Sequence, residues 1–390
     1  MNDTKRLAQR IAERISLNHA AGEVRAQDGG MKQAECISFR DYMAMCLYDP
    51  EDGYYGSGPV RIGRTGDFYT SSAVGTVMGE KLAAYMAELI ASYGGLAAAA
   101  EWGAGTGRLS AHILGAWRKQ GYEWLPYMTY AVIDSSPAHL QSARETLGPE
   151  KDGPALLFWR PEEIDSSRLM TDNPIIIVAN ELLDAFPVHR VICRDGQLYE
   201  LGVALRHSSG QEAPAFQYAY MPLTDPGIER SLAADGIVLL EGQVTEVNLE
   251  AERWIAYIGG RVNRGSLVLI DYGHEARELT ASHRMRGSLL CYSGHRAHDN
   301  PFLQPGGQDI TAHINFTACR RAAEASGWHV AYYGTQKQFL VDHGVLNDLT
   351  AHDGTDPFSE AAKRNRSIRQ LLLSDGMSET FKVMTLSKGI

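Results

Sequence analysis

After Gly95 the chain settles into a rhythm that few folds can absorb. Short apolar runs, "LAAAAEWG", "MTYAVID", "PALLFW", "PIIIVAN" and "GSLVLIDYG", alternate with stretches of helical periodicity. Each run has strand length, and a run that is apolar throughout must be covered on both faces. That is the condition of a parallel sheet between two helix layers. Two later runs, "WHVAYYGTQ" and "FKVMTLSKG", supply further strands. The rhythm breaks once, after the fourth strand. "RVICRDGQLYELGVAL" sets Asp195-Gly196 between two strand-like runs, a hairpin signal, and "AFQYAYMPL" offers a third strand. Residues 191–245 therefore read as an antiparallel insertion, placed where such sheets build substrate walls.

Residues 1–95 read as an N-terminal helical and lid segment, and 96–390 as the α/β domain. Leu7, Ile11 and Ile15 stand at helical spacing, so the first helix is expected to pack on the body. "CISFRDYMAMCLYDP" reads as a second helix stopped by Pro50, and "VGTVMGEKLAAYMAELIASYGG" as a third ended by its glycines. Between them lies a turn-rich aromatic stretch, "EDGYYGSGPVRIGRTGDFY". The formal net charge is −10, which argues against nucleic acid as a partner. No apolar run approaches the roughly 20 residues of a membrane span. The five cysteines are scattered, odd in number and never in a C-x-x-C pair, which argues against a disulfide framework or a zinc ribbon. With an N-terminus that has no apolar signal core, they lead to the expectation of a cytoplasmic protein.

The first strand of the rhythm runs into Gly103-Ala104-Gly105-Thr106-Gly107 and then a helix. Glycines there allow a sharp turn and close approach to a ligand, and the helix start offers free N–H groups. A dinucleotide fingerprint would put its third glycine where this chain has Arg108, and its acid about 20 residues on. The acid that ends strand two, Asp134, comes considerably later. G-x-G-x-G preceded by Glu101 and followed by an acid at the end of strand two resembles instead the class I S-adenosylmethionine (SAM) methyltransferases. On that resemblance Asp134 accepts both ribose hydroxyls. As a plain structural element it caps the helix beginning "SSPAHLQSA", a task Ser135 or Ser136 could do equally well. Trp159, closing strand three, either stacks on the adenine or joins Phe158 in the core.

"LYDPEDGYYG", "GDFYTSS", "EWGAGTG", "VANELLDAFPVHR", "LIDYG" and "PGGQDITAHINF" together closely resemble the MidA family of these methyltransferases, over nearly the whole chain. That family includes a mitochondrial complex I assembly factor that methylates a protein arginine. The resemblance implies a Rossmann-like class I methyltransferase fold and SAM as cofactor. It further implies a protein acceptor carrying an arginine, and no metal. It matches Glu101, Gly103, Gly105 and Gly107 to the family's SAM loop, and Asp134, with Ser135 beside it, to the ribose acid. Gly66, Asp67, Phe68 and Thr70 match a loop that lies over the cofactor: Asp67 would hold its ammonium, Thr70 its carboxylate, and Phe68 would exclude water. Where family members often read Ser-Pro-Glu after this threonine, the chain has Ser71-Ser72-Ala73. Asn180, Glu181, Asp184 and Pro187 match the motif after strand four, with Asn180 beside the cofactor.

Methyl transfer to a guanidinium needs in-line positioning and a carboxylate grip that leaves one nitrogen free. Glu181 and Asp184 stand three residues apart and are the candidate pair, Glu181 first because it is nearer the strand edge. Asn180 and Asp184 could also simply cap a turn before Pro187. Asp271-Tyr272-Gly273 ends strand five, and Asp309 reads as the N-cap of a helix "ITAHINFTACRRAAEA". His313, on the first turns of that helix, either lines the acceptor pocket as a catalytic residue or sits in the core. His295, His298, Asp309 and His313 fit no standard metal spacing. A homodimer is possible. The rival readings are a methyltransferase acting on a small molecule, a non-catalytic SAM-binding assembly factor and, more distantly, a nicotinamide dehydrogenase.

Overall fold

The apolar runs become strands because a fully covered sheet is what buries them on both sides. The computed structural model describes residues 2–26, 28–56, 76–149, 153–206, 213–294, 296–351, 356–373 and 377–389. In chain order its strands are β1 (Ala20–Arg25), β2 (Met31–Ile37), β3 (Ala98–Trp102), β4 (Thr129–Ile133), β5 (Ala155–Trp159), β6 (Ile175–Asn180), β7 (His189–Arg194), β8 (Gln197–Arg206), β9 (Ala215–Met221), β10 (Val244–Val247), β11 (Gly265–His274), β12 (Leu290–Ser293), β13 (Arg296–His298), β14 (Asp309–Thr311), β15 (Ile314–Asn315), β16 (His329–Thr335) and β17 (Phe381–Lys388). The first five α-helices are α1 (Asn2–Asn18), α2 (Phe39–Tyr48), α3 (Val77–Ser92), α4 (Arg108–Gln120) and α5 (Pro137–Leu147). The chain divides into two units. The first holds Met1–Pro59, Leu183–Trp254 and Gly273–Ala322; the second holds Val60–Leu182, Ile255–Tyr272 and Ala323–Ile390. These boundaries interleave along the chain, unlike the single break expected after residue 95.

The second unit carries the parallel sheet in the order β5-β4-β3-β6-β11-β17-β16. From β5 to β11 every neighbour is parallel, and β17 runs antiparallel to both β11 and β16. Burial follows position. Ile175–Ala179 of central β6 are buried without interruption, whereas edge strand β5 has no buried residue. The order reverses between β3 and β6, so the C-terminal edge there is a topological switch point, where open α/β sheets bind their ligands. Helices α3 and α4 pack closely because of Gly79: a Cβ at that position would lie 2.4 Å from the Cβ of His112. Trp117 of α4 is fully buried in the same core and donates its indole N–H to the Ala83 carbonyl at 2.8 Å. Truncating such a side chain to alanine costs about 3–5 kcal/mol.

The first unit contains the antiparallel insertion, and the Asp195-Gly196 turn joins β7 to β8 as expected, with φ 53° and 72°. The insertion does not stand alone. The N-terminal segment, expected to be helical, contributes the hairpin β1–β2. Long β8 takes β7 and β2 in succession, and it pairs with β9 along most of its length; β1 joins β2 and β9. The strands β8, β2, β1 and β9 thus close a ring. Its interior is so tight that a Cβ at Gly202 would lie 2.3 Å from the Met221 sulfur. Leu7, Ile11 and Ile15 of α1 are buried, as their spacing predicts. Helix α2 starts at Phe39, later than the sequence suggested, because Ser38 caps it by accepting from the Asp41 N–H.

Candidate functional site

Strand ends of the second unit gather the residues that the sequence singled out. At the end of β3 the chain enters the glycine loop with φ of 76° at Gly103, 52° at Gly105 and 73° at Gly107. This left-handed region favours glycine strongly. Two of these positions have no room for a side chain either. A Cβ at Gly103 would lie 2.8 Å from Leu182 Cδ1, and one at Gly107 would lie 2.9 Å from the Cβ of Ala143 on α5. The loop is tied to β4 by N–H groups of Gly103 and Ala104, which both donate to the Ile133 carbonyl at 2.8 and 3.1 Å. Helix α4 starts directly after Gly107, so its first-turn N–H groups open at the loop, as an anionic or polar ligand requires. Arg108 opens the helix at the place where a dinucleotide fold has glycine.

Asp134 follows the last residue of β4 and is buried. Its Oδ2 accepts the Gly105 N–H at 2.8 Å, and its Oδ1 accepts the Ser136 N–H at 2.9 Å. The Nδ1 atom of His139 lies 3.2 Å from the same Oδ1. The helix-cap role belongs to Ser136, whose hydroxyl accepts the His139 N–H at 3.4 Å, while Ser135 is exposed. Asp134 is thereby spared for another task, although fewer of its lone pairs are open than the sequence suggested. Trp159 ends β5 beside it, accepting the Asp134 N–H at 3.1 Å. Trp159 is half-buried, so its ring is not given wholly to the core.

Glu101, just before the loop, is engaged within the protein. It points beneath the loop and is 4% exposed, accepting from Ser110 through both hydroxyl and N–H. The Ser110 hydroxyl also lies 3.1 Å from that of Tyr130. Burial pushes the Glu101 carboxyl up to about 8, opposed by the two Ser110 hydrogen bonds and assisted by the negative charge of Asp134. Its hydrogen bonds tie the end of β3 to the first turn of α4.

At the end of β6 stands Glu181, with φ 51°, a conformation that costs a glutamate about 1–3 kcal/mol. Its N–H donates to the Ile270 carbonyl at 2.8 Å, extending the β6–β11 ladder by one bond. Its carboxylate accepts from the Asn180 side chain at 3.1 Å, so the Asn180 amide orients Glu181. Asp271 ends up buried toward the close of β11 and accepts the N–H of Tyr272 at 2.9 Å.

The other expected residues belong to other elements. Asp184 belongs to the first unit, in the helical turn Leu183–Ala185, and is buried; its carbonyl accepts the Ala312 N–H at 3.0 Å. Asp309 is not a helix cap. It starts β14 and accepts from the Tyr55 hydroxyl at 2.9 Å, and the following helix begins only at Phe316. His313 therefore precedes that helix instead of lying on it. Its N–H donates to the Ser288 hydroxyl at 3.0 Å and its ring lies 5.7 Å from that of His274. Burial, with the neighbouring His274 and Arg284, lowers its imidazole to about 4, so the ring is neutral near pH 7. Gly66, Asp67, Phe68, Thr70 and His295 lie outside the described residues. Among the described residues no group of histidine, cysteine or acidic side chains is arranged to hold a metal, and no helix is long and apolar enough to cross a membrane. The sequence reading missed His139, Ser110 and Tyr130; only the position of His139 in the first turn after "SSP" hinted at any of them.

Residues 81–334 match the family described as S-adenosyl-L-methionine-dependent methyltransferase. The chain is 28% identical over 315 residues to the mitochondrial protein arginine methyltransferase NDUFAF7 homolog of Drosophila melanogaster, covering 75% of this chain and 67% of the relative. With the mitochondrial protein arginine methyltransferase NDUFAF7 of Homo sapiens it shares 25% over 383 residues, 91% of this chain and 81% of the relative. A protein of Burkholderia thailandensis solved bound to S-adenosyl-homocysteine superposes with a TM-score of 0.84 at 30% identity, covering 100% of this chain and 93% of that one. The expected cytoplasmic location is overturned, since the relatives from fly and human are both named mitochondrial.

Proposed function

Because the chain belongs to the family of S-adenosyl-L-methionine-dependent methyltransferases, the MidA family that its motifs resemble, we propose that it methylates an arginine side chain of a protein. The names of the fly and human relatives support the acceptor class. The observation that carries the reading is Glu181, held at φ 51° at the C-terminal edge of β6. A strained non-glycine residue persists where its side chain is needed in a set place.

The residues present fit SAM. Gly103, Gly105 and Gly107 with the start of α4 would hold it, with Asp134 on the ribose and Trp159 near the adenine. SAM, when bound, supplies an electrophilic methyl group on a sulfonium. Glu181 has the work of the acceptor. A guanidinium has a pKa above about 12 and keeps its charge, so its nitrogens are poor nucleophiles. A carboxylate that accepts two of its N–H groups draws positive charge toward itself and leaves another nitrogen richer in electrons. As the new C–N bond forms and the methyl–sulfur bond breaks, that nitrogen would shed its proton to water, since the carboxylate is engaged by the other two N–H groups. The Asn180 amide limits the rotamers that Glu181 can use, which is positioning fixed before the acceptor arrives.

Glu181→Gln tests this reading. The shape is kept and the charge removed, so SAM affinity should stay within about twofold while methyl transfer falls by at least about a hundredfold, since the lost interaction is one that strengthens in the transition state. Near-normal turnover by the variant removes Glu181 from the mechanism.

A further inference from the structure

We propose that His139 is a positioning residue for cofactor binding: through Nδ1 it fixes the carboxylate of Asp134, so that the ribose meets a single oxygen, Oδ2. This rests on the seat of SAM given above. Asp134 has two oxygens, each with two in-plane lone pairs. Oδ1 accepts the Ser136 N–H at 2.9 Å and lies 3.2 Å from His139 Nδ1, which fills it. Oδ2 accepts the Gly105 N–H at 2.8 Å and keeps one lone pair. One ribose hydroxyl can therefore be taken at full strength, in place of the two that the sequence suggested.

The donors come from different places. Gly105 belongs to the loop after β3, Ser136 to the turn before α5, and His139 to the first turn of α5. An aspartate χ2 is a broad torsion, and the backbone N–H groups of Gly105 and Ser136 hold one oxygen each while leaving each with a second lone pair open. The His139 ring supplies a second donor to Oδ1, and the backbone from which the ring projects is held at the helix start, where the His139 main-chain N–H is given to the Ser136 hydroxyl at 3.4 Å. Both side chains are enclosed, with relative exposures of 8% for His139 and 9% for Asp134, so water does not replace the contact cheaply. An ionised aspartate accepts and cannot donate, so Nδ1 must carry the hydrogen. The histidine acts on the cofactor only through Asp134.

Calorimetry with S-adenosylhomocysteine tests this without turnover, on wild type, His139→Leu, His139→Asn, Asp134→Ala and the double variant Asp134→Ala/His139→Leu. Leucine keeps the apolar volume and removes the donor, and binding should weaken three- to tenfold. Asparagine can place its amide N–H where Nδ1 stands, and should restore affinity to within twofold. In the Asp134→Ala background His139→Leu should have no further effect, because the group through which it acts is gone. Wild-type affinity in His139→Leu overturns the proposal, as does an equal loss in both backgrounds. An Asp134→Ala variant that binds normally overturns the seat of the ribose itself, a failure distinguishable from the other two. Should the leucine variant not fold, nitrogen-15 shifts of His139 in the wild-type protein decide. A protonated Nδ1 is expected in the presence of S-adenosylhomocysteine, and a bare Nδ1 refutes the role.

Discussion

Replacing Glu101 by glutamine should stabilise the protein, and increasingly so as pH rises. The Glu101 side chain is 4% exposed beneath the glycine loop, and burial raises its carboxyl from 4.5 to about 8. Between these values the native state keeps a proton that the unfolded chain gives up. The unfolded state then binds fewer protons than the native one, so stability declines with rising pH, by about 1.4 kcal/mol per unit. The favourable contribution is whole below 4.5, is lost as pH rises through about 8, and stays lost above. Across that window the loss reaches the order of 5 kcal/mol. Glutamine never ionises, and its carbonyl oxygen can still accept the Ser110 hydroxyl. Wild type and Glu101→Gln should therefore be of similar stability near pH 4.5, and the variant should pull ahead by several kcal/mol by pH 8. Urea denaturation of both proteins at intervals from pH 5 to 9 reads the difference directly, and the m-value should not change. S-adenosylhomocysteine affinity at pH 7 should agree within about twofold, since glutamine keeps the shape and the Ser110 hydrogen bond that tie the loop to α4. A stability difference independent of pH, or a variant that loses ground above pH 7, would show that the carboxylate is ionised and needed as a charge.

Two further outcomes follow from backbone geometry. Gly107→Ala combines φ 73° with a Cβ 2.9 Å from that of Ala143, so thermal or urea denaturation should show a loss of about 2–4 kcal/mol, and a variant as stable as wild type would contradict the packing. Glu181→Gly removes the strain of φ 51° and should be at least as stable as wild type, by up to about 1 kcal/mol, while methyl transfer falls with the lost carboxylate; a gain in stability with activity intact would leave the strained glutamate without a use.

The parallel sheet was legible because strands covered on both faces cannot hide in a sequence. "IIIVAN" and "LVLID" read as strands without any context. The Asp195-Gly196 hairpin was equally plain, since both residues must take positive φ. The hairpin β1–β2 was not. "AAGEVR" and "MKQAECI" are short of β-branched and aromatic residues, because the tight ring they help close has room inside only for small side chains around Met221. Asp309 before "ITAHINF" has the composition of a helix cap, and only the pairing of β14 with β12 makes it a strand start. In the candidate site the positions were readable but the orientations were not. Glu101 stands beside the glycine loop and its carboxyl is taken up by Ser110, itself in contact with Tyr130, two residues that no spacing rule connects to it. Glu181 is a glutamate in a glycine-like conformation, and a sequence carries no mark of that.

The proposed function comes to its sharpest test in the identity of the methylated atom. The wild-type protein is supplied with SAM labelled in the methyl group and a lysate of the organism that makes it, and the labelled species are digested and sequenced by mass spectrometry. The label should appear in protein, on a guanidino nitrogen of arginine, and should vanish when Glu181→Gln replaces wild type. A label found on a small molecule, or on a hydroxyl or carboxyl oxygen, would leave the methyltransferase fold in place and contradict the arginine acceptor.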